Sequence, residues 1–271
     1  TSAMSTLTAS IIKNYGRLEK KINFVQSLRS KEDYLAKHSL NVAILCAMMS
    51  HVMNIRLPEQ LDTVTAAIVH DIGRMAIPKE TADKLNSKNE NDQKILLEYE
   101  KQGTAVIEAA FLSTPAIKRI VAQSYKLLHE QDNGNAAANM RIVTGAKILM
   151  AADTFDTMTA MNDATEPSSE ITALRYLMNR PEMYDKEVVD ALIKSINFLN
   201  PGCCVELTNG EKGLVLVQNN YNILKPMILC FSDNSIVDLA QELIYAGLDI
   251  KDVMKTMDNR CIMDRDALKK A

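Results

Sequence analysis

The sequence contains no tryptophan, and only 5% of its 271 residues are aromatic. It also lacks an excess of positive charge, because 31 lysine and arginine residues stand against 34 aspartate and glutamate residues, for a net charge of −3. A nucleic-acid-binding domain normally carries a clear basic excess. No uninterrupted apolar run reaches the ~18 residues that a bilayer-spanning helix needs. The composition therefore predicts a protein that engages neither nucleic acid nor a membrane.

Two further absences bear on cellular location. The N-terminal residues show no charged segment followed by an apolar core and a small-residue cleavage site, so no signal peptide is expected. The chain has five cysteines, an odd number, and none of them forms a CxxC pair. Reduced thiols in the cytoplasm are the simplest interpretation. The cysteines are Cys46, Cys203, Cys204, Cys230 and Cys261.

Apolar residues recur at helical spacing through the first two thirds of the chain, whereas turn signals and alternating apolar residues follow. We therefore predict a mainly α fold, a helical bundle with a small C-terminal β-subdomain and a helical tail. The first segment can act as a linker or as a dimer-forming helix, so a homodimer is one expectation. The predicted parts are an N-terminal helix or linker at 1–30, a helical domain at 31–199, the β-subdomain at 200–240 and the tail at 241–271.

Individual elements follow from the same patterns. Asn209-Gly210 predicts a β-hairpin turn. A polar stretch at 85–92 predicts a surface loop. The predicted helices span residues 5–28, 38–49, 58–70, 92–111, 115–129, 139–161, 168–179 and 186–199.

Only four histidines occur, and they can be considered one by one. His70 and Asp71 are adjacent at the end of an apolar helix, and imidazole and carboxylate are natural ligands of a divalent metal. His51 follows His38 by thirteen residues in one predicted helix, so the two side chains point about 140° apart and cannot serve one site. Asp153 interrupts an apolar helical run and must be paired, metal-bound or exposed. Asp156 follows three residues later, so one of these two acids can be a solvated carboxylate.

Three segments resemble the HD superfamily of metal-dependent phosphohydrolases. Within it they are most similar to a divergent, degenerate member of the HD-GYP branch, the cyclic di-GMP phosphodiesterases. The resemblance covers most of the chain, and the order of the motifs matches as well. The segments are Tyr34-Leu-Ala-Lys-His38-Ser-Leu-Asn-Val42, His70-Asp-Ile-Gly-Arg-Met-Ala-Ile-Pro78 and Ile148-Leu-Met-Ala-Ala-Asp153-Thr-Phe-Asp156.

The resemblance implies specific roles. It implies a helical HD domain with one divalent ion, such as iron or manganese, and a cyclic dinucleotide or another phosphoester or nucleotide as substrate. Asp71 and Arg74 are the implied catalytic residues, since Arg74 stands where the family has a lysine beside the scissile phosphate. The implied ligands of the ion are His38, His70, Asp71 and Asp153, and the ligands of further ions map to Tyr99, Leu128 and His129, of which His129 alone can still bind metal.

Other departures from the family pattern lie in the segment after His129. The family's Gly-Tyr-Pro is replaced by Ala136-Ala137-Ala138, and its arginine after Glu130 by Gln131. Three hypotheses therefore remain open. The chain is a one-metal phosphohydrolase, or a catalytically inactive module that binds a nucleotide or a signalling protein, or a scaffold in which His70 and Asp71 only hydrogen-bond the core.

Overall fold

The computed structural model describes residues 2–24, 26, 29–30, 33–82, 85, 89–129, 141–161 and 167–254. The chain divides into two compact units. The first comprises Thr1–Ser168 and Ala173–Ile196, and the second comprises Ser169–Thr172 and Asn197–Ala271.

The described residues confirm a mainly α fold, in which the helices precede a small antiparallel sheet. None of these helices combines the length and the apolar character that a membrane crossing requires. The helices are α1 (Ser2–Tyr15), α2 (Tyr34–Val52), α3 (Leu57–Val69), α4 (Ile72–Met75), α5 (Lys79–Ala82), α6 (Glu90–Ala110), α7 (Pro115–His129), α8 (Thr144–Thr159), α9 (Glu170–Met178) and α10 (Lys186–Ser195).

Helix α2 lies at the centre of the first unit. It packs against α1, α3, α8 and α10. Apolar residues occupy nearly all of its faces, including Val42, Leu45 and Met49, which are fully buried. A helix that is apolar all round belongs in the interior of a bundle. His38, in the second turn of α2, is consequently buried as well.

Helices α4 and α6 cross at two glycines, and this crossing positions the residues after His70-Asp71. A Cβ atom on Gly73 would lie 2.1 Å from the carbonyl oxygen of Tyr99, and one on Gly103 would lie 2.6 Å from the amide nitrogen of Gly73. Both distances are far inside van der Waals contact with backbone atoms, which cannot swing away as a side chain can. The glycines therefore permit a helix approach that alanine does not.

The N-terminal helix is shorter than its apolar stripe predicts. The prediction of one helix over residues 5–28 is wrong beyond Tyr15, where α1 ends. Gly16 lies so close to Gln60 that a Cβ there would meet the amide nitrogen of that side chain at 2.6 Å. Farther along, Ile22 forms a parallel bridge with Ile196. Tertiary contacts with α3 and with the end of α10 thus override local helical periodicity.

Other helix boundaries move by a few residues. The prediction for α7, residues 115–129, is confirmed. Helix α6 begins within the predicted polar loop, at Glu90, because the side chain of Asn89 caps it by accepting from the amide of Asn91 at 2.9 Å.

The second unit contains a five-stranded antiparallel sheet in the order β4-β3-β2-β1-β5. A hairpin joins β1 to β2 through Gly210, whose φ is +85°, so the predicted turn is confirmed. Alternate residues of the strands, among them Val205, Leu207 and Val215, form the core of this unit. The strands are β1 (Cys204–Leu207), β2 (Lys212–Val217), β3 (Met227–Cys230), β4 (Ile236–Asp238) and β5 (Ile250–Met254).

The predicted helical tail is wrong for its described part. Residues 250–254 form β5, which pairs with β1 in antiparallel register, for example Val205 opposite Val253. Strand β1 needs a partner on its second edge, and Ile250 is fully buried in the sheet core. The rest of the predicted tail, from residue 255 onward, lies outside the described residues, as does Cys261.

Gly103→Ala tests the glycine crossing. Helix propensity alone predicts that alanine stabilises this helical position by about 1 kcal/mol. Because the Cβ would meet the backbone of Gly73, we expect the opposite, a loss of about 1–3 kcal/mol in the free energy of unfolding. Urea unfolding followed by circular dichroism measures it. Lys101→Ala, at an exposed position of the same helix, should leave stability within about 0.5 kcal/mol, and a stabilised Gly103→Ala would contradict the crossing.

Candidate metal centre

Three buried side chains converge at the junction of α2, α3 and α4. His38 lies in α2, while His70 and Asp71 follow the last residue of α3 and precede α4. Each of the three is 2% exposed. One ligand atom from each lies within 4.8 Å of the other two, which is a spacing that one metal ion can span. Two predicted ligands thus come from adjacent residues, and the third lies 32 positions before His70, in α2.

Backbone groups fix the orientation of His70. Its Nδ1 lies 2.7 Å from the carbonyl oxygen of Ala67, which can only accept, so Nδ1 carries a proton and donates. The hydroxyl of Tyr125 in α7 donates to the carbonyl oxygen of His70. In the neutral imidazole, Nε2 of His70 is then unprotonated, and it lies 3.3 Å from Nε2 of His38. His70 therefore directs a lone pair into the cluster.

A buried carboxylate orients His38 in the same way. Its Nδ1 lies 2.7 Å from Oδ2 of Asp156, which accepts the Nδ1 proton. Such a carboxylate–histidine pair sets the tautomer and raises the basicity of the other ring nitrogen in metal sites. Once His38 gives up its second proton, its Nε2 and that of His70, 3.3 Å apart, both present lone pairs to the same point. The paired lone pairs therefore fit a metal ion.

Asp71 supplies the oxygen. Its Oδ2 lies 3.6 Å from Nε2 of His38 and 3.7 Å from Nε2 of His70. This buried atom has no hydrogen-bond partner among the described residues. Burial raises the pKa of Asp71, but Arg74, His70 and His38 outweigh it and lower the pKa, so the side chain is a carboxylate. A buried anionic oxygen beside two imidazole lone pairs is the donor set of a divalent metal, and the residues present fit one.

Asp153 in α8 lies beside the three-residue cluster and contacts one of its members. Its Oδ1 lies 3.2 Å from Nε2 of His38 and accepts from the hydroxyl of Thr157. With a side chain 14% exposed, Asp153 is the most accessible of the four predicted ligands. It also lines a cavity of about 580 Å³ that opens beside the cluster. The cavity is lined by Arg74, Gln93, Leu96, Leu97, Glu100, Leu128, His129, Asp153, Thr154, Thr157, Met158, Tyr176 and Tyr184.

Arg74 and His129 lie beside the cluster and share a partner that the sequence did not indicate. Arg74 places Nε 3.5 Å from Oδ1 of Asp71 and Nη2 3.0 Å from Oε1 of Glu100. His129, the last residue of α7, places Nε2 2.6 Å from Oε2 of Glu100. His129 is thus held at the cavity by Glu100 and lies outside the three-residue cluster.

Some of the other positions that distinguish this chain from the family pattern belong to the described residues, and some do not. Tyr99 is half-buried in α6, and Leu128 lines the cavity. Tyr34, which stands where some members of the family have an acid, stacks on His38 with ring centroids 6.0 Å apart. Glu130, Gln131 and residues 136–138, where the Gly-Tyr-Pro motif would fall, lie outside the described residues.

The sequence did not reveal that Asp156, held by Arg29 and Gln26, orients His38. Of the two acids in α8, either of which could have been a solvated carboxylate, Asp156 is fully buried. Arg29 donates to both oxygens of Asp156 at 2.7 Å, and Gln26 donates to Oδ1 at 2.8 Å. An i, i+3 pair of acids in an apolar helix was the available signal, since both then face the same side. Nothing local to Arg29 identifies its partner.

This fold and cluster place the chain in a known family. The sequence profile of the HD domain matches residues 23–188, and the chain belongs to the HD-domain family. It is also 23% identical, over 227 residues, to a cyclic di-GMP phosphodiesterase of Pseudomonas aeruginosa. The match covers 81% of this chain and 53% of that relative, so the chain spans about half the length of the curated relative it matches. The predicted HD family is confirmed, and the HD-GYP branch stays a prediction.

Arg29→Met tests the support of Asp156. The change leaves a carboxylate buried after its bidentate partner is removed, which typically costs about 3–5 kcal/mol. We expect a loss of that size in the free energy of unfolding, measured by urea titration. Lys147→Met in α8 is the control, because its pair with Asp185 is exposed and should contribute less than about 1 kcal/mol. Equal losses in the two variants would contradict the assigned role of Arg29.

The metal-free protein should lose stability as the pH rises. Burial alone lowers the pKa of His38, but the hydrogen bonds with Asp153 and Asp156 outweigh it and raise the pKa from 6.5 to about 10. A raised pKa stabilises the folded state fully below pH 6.5, and this stabilisation disappears as the pH rises through about 10. The expected slope is at most about 1.4 kcal/mol per pH unit.

Urea unfolding of protein treated with EDTA, at several pH values between 6.5 and 10, measures that slope. His38→Gln should flatten it, and His51→Gln, on the same helix, should leave it unchanged. A slope that survives His38→Gln would assign the pH dependence to other groups.

Proposed function

We propose that this chain is a metal-dependent phosphodiesterase domain of bacterial cyclic dinucleotide signalling that uses one divalent ion, iron or manganese. The observation that carries the proposal is the partnerless Oδ2 of Asp71 beside the Nε2 atoms of His38 and His70. A scaffold that only hydrogen-bonds its core would satisfy this oxygen with a donor, because an unpaired buried carboxylate oxygen is costly. The third hypothesis is therefore the least favoured.

The side chains have distinct roles in this proposal. His38, His70, Asp71 and Asp153 would hold the ion, which when bound supplies Lewis-acid polarisation of a phosphoryl oxygen. Asp156 keeps the Nδ1 proton of His38 in place, so that Nε2 stays available.

Arg74 is the cationic group for the scissile phosphate. Its side chain is 35% exposed and lines the cavity. A guanidinium has five N–H groups, so Arg74 can bind a phosphoryl oxygen while it still contacts Asp71 and Glu100. Asp71 raises the pKa of Arg74 further, which keeps it charged at all working pH values.

The cavity suits a nucleotide. Its volume, about 580 Å³, falls within the roughly 300–1,000 Å³ of small-molecule sites. Tyr176 lines it and stacks with Arg180, whose guanidinium lies 3.7 Å from the ring centroid. Aromatic rings of this kind are surfaces on which nucleobases stack. The name of the Pseudomonas aeruginosa relative supports cyclic di-GMP as the nucleotide to test first.

Hydrolysis and metal content test the proposal together. The protein loaded with Mn²⁺ should hydrolyse cyclic di-GMP, and His70→Ala should lower the rate at least a hundredfold, in line with the ~10²–10³ lost with one electrostatic contact in other enzymes. Elemental analysis should find one ion per chain in the wild type and less in Asp71→Ala. His51→Ala is the matched control. The proposal fails if neither cyclic di-GMP nor a generic phosphodiester is hydrolysed faster than by His70→Ala.

A specific observation also favours the second hypothesis, a catalytically inactive module. Tyr99 and Leu128 occupy positions where the family pattern has imidazoles, and neither a phenol at neutral pH nor an alkyl group replaces that ligand. Such a module would bind the nucleotide, or a signalling protein, without hydrolysing it. Calorimetric binding of cyclic di-GMP with no product in an overnight incubation would support this alternative.

A further inference from the structure

The peptide bond between His70 and Asp71 joins two of the proposed ligands and lies at the break between α3 and α4. At such a break the last carbonyl groups of a helix need donors from outside that helix. The carbonyl oxygen of His70 accepts from the hydroxyl of Tyr125, which lies 55 positions later, in α7. A side chain of another helix therefore holds the peptide that links the two ligands.

The backbone of Asp71 is held on both sides. The peptide before it accepts from Tyr125, and its own carbonyl oxygen accepts from the amide of Met75 at 3.1 Å. The side chain of Asp71 does not cap α4. Its Oδ2, which faces the imidazoles of His38 and His70, has no hydrogen-bond partner among the described residues. The position of Oδ2 therefore depends on the backbone that carries it.

The two histidines of the cluster differ from Asp71 in this respect. Nδ1 of His38 is held by a buried carboxylate, and Nδ1 of His70 by a backbone carbonyl. Contacts of this kind orient metal ligands, and their loss typically lowers metal affinity about 10–100-fold. Oδ2 of Asp71 has no such contact of its own, so the hydroxyl of Tyr125 is the corresponding support for the third ligand.

The surroundings of Tyr125 keep its hydroxyl in place. The side chain is 7% exposed, and Val121, one turn earlier in α7, is fully buried. Helix α7 packs against α3, α6 and α8. The ring of His129, one turn later, has its centroid 6.2 Å from that of Tyr125. Tyr125 therefore presents its hydroxyl to the His70 carbonyl from a packed helix.

We propose that Tyr125 is a positioning residue that fixes the peptide between His70 and Asp71 and so directs Oδ2 of Asp71 at the metal ion. This inference rests on the proposed metal-dependent function, because it requires that the cluster binds a divalent ion. Without the hydroxyl the peptide can rotate, and Oδ2 then shifts relative to the imidazole nitrogens. All ligands remain present, so the expected effect is weaker metal binding with an unchanged number of ions.

Tyr125→Phe tests this, because it removes the hydroxyl and keeps the ring. Calorimetric titration of EDTA-treated, desalted protein with Mn²⁺ should show a Kd raised about 10–100-fold. The visible absorption spectrum of the protein loaded with Co²⁺, which reports ligand geometry, should change as well. Ser124→Ala is the matched control and should leave both unchanged. It removes a buried hydroxyl of the same helix that donates to the carbonyl oxygen of Val121 at 2.8 Å.

The outcomes separate this inference from the function. An unchanged Kd and Co²⁺ spectrum in Tyr125→Phe overturn the inference and leave the phosphodiesterase proposal standing. Equal losses of affinity in Tyr125→Phe and Ser124→Ala overturn it as well, because the effect is then not specific to the His70 carbonyl. Weaker Mn²⁺ binding by Tyr125→Phe, in a protein whose wild type does not hydrolyse cyclic di-GMP, supports the inference and counts against the enzyme alone.

Two further measurements complete the test. If the wild type hydrolyses cyclic di-GMP, excess Mn²⁺ should restore the rate of Tyr125→Phe toward that of the wild type, since every ligand is present. A rate that stays low at saturating Mn²⁺, with wild-type Kd, overturns the inference. If Tyr125→Phe does not fold, Tyr125→Met, which also lacks the donor, should show the weaker binding, and wild-type affinity there overturns the inference.

Discussion

The geometry of the candidate metal centre depends on the buried carboxylate of Asp156. This side chain accepts from Arg29 through both oxygens and from Nδ1 of His38 through one of them. The first interaction makes burial of the charge tolerable, and the second fixes the ring of His38 with Nε2 toward His70. A single carboxylate in α8 therefore links the segment before α2 to the orientation of a ligand in α2. Loss of Arg29, which does not itself contact His38, would therefore affect the orientation of His38 through Asp156.

The charges of the acidic and basic side chains at the site do not balance without a further cation. In the described part of the site, four carboxylates face two guanidinium groups, those of Arg29 and Arg74. Two negative charges remain on these largely buried acids. Protonation of an imidazole supplies part of the balance, which is why the pKa of His38 is raised, and a divalent cation supplies all of it. Metal binding should therefore displace that proton. The carboxylates are those of Asp71, Glu100, Asp153 and Asp156.

Local patterns were sufficient to identify candidate ligands that the fold brings together, but not the residues that support them. His70 and Asp71 are adjacent, and Asp153 interrupts an apolar helix, so each is visible in a short window of sequence. The partners Arg29 and Asp156 are 127 positions apart, and only folding brings them together. The same holds for β5, where the open edge of β1 and the burial of Ile250 override the helical tail that the local pattern predicts. Long-range pairing leaves no periodic signal, whereas amphipathic helices do.

Tyr99 and Leu128 stand where the family pattern has histidines, and on this side of the site the buried carboxylate of Glu100 contacts Arg74 and His129. If the site had merely lost ligands at Tyr99 and Leu128, the acids on that side would remain buried without counterions, at a cost of several kcal/mol each. Glu100 is buried and yet has partners at both oxygens, Arg74 and His129. The carboxylate of Glu100 is therefore accompanied by side-chain partners alone. In the proposed one-ion centre, the side chains of Arg74 and His129 thus accompany the buried acid on the side where the family's further ligands are missing.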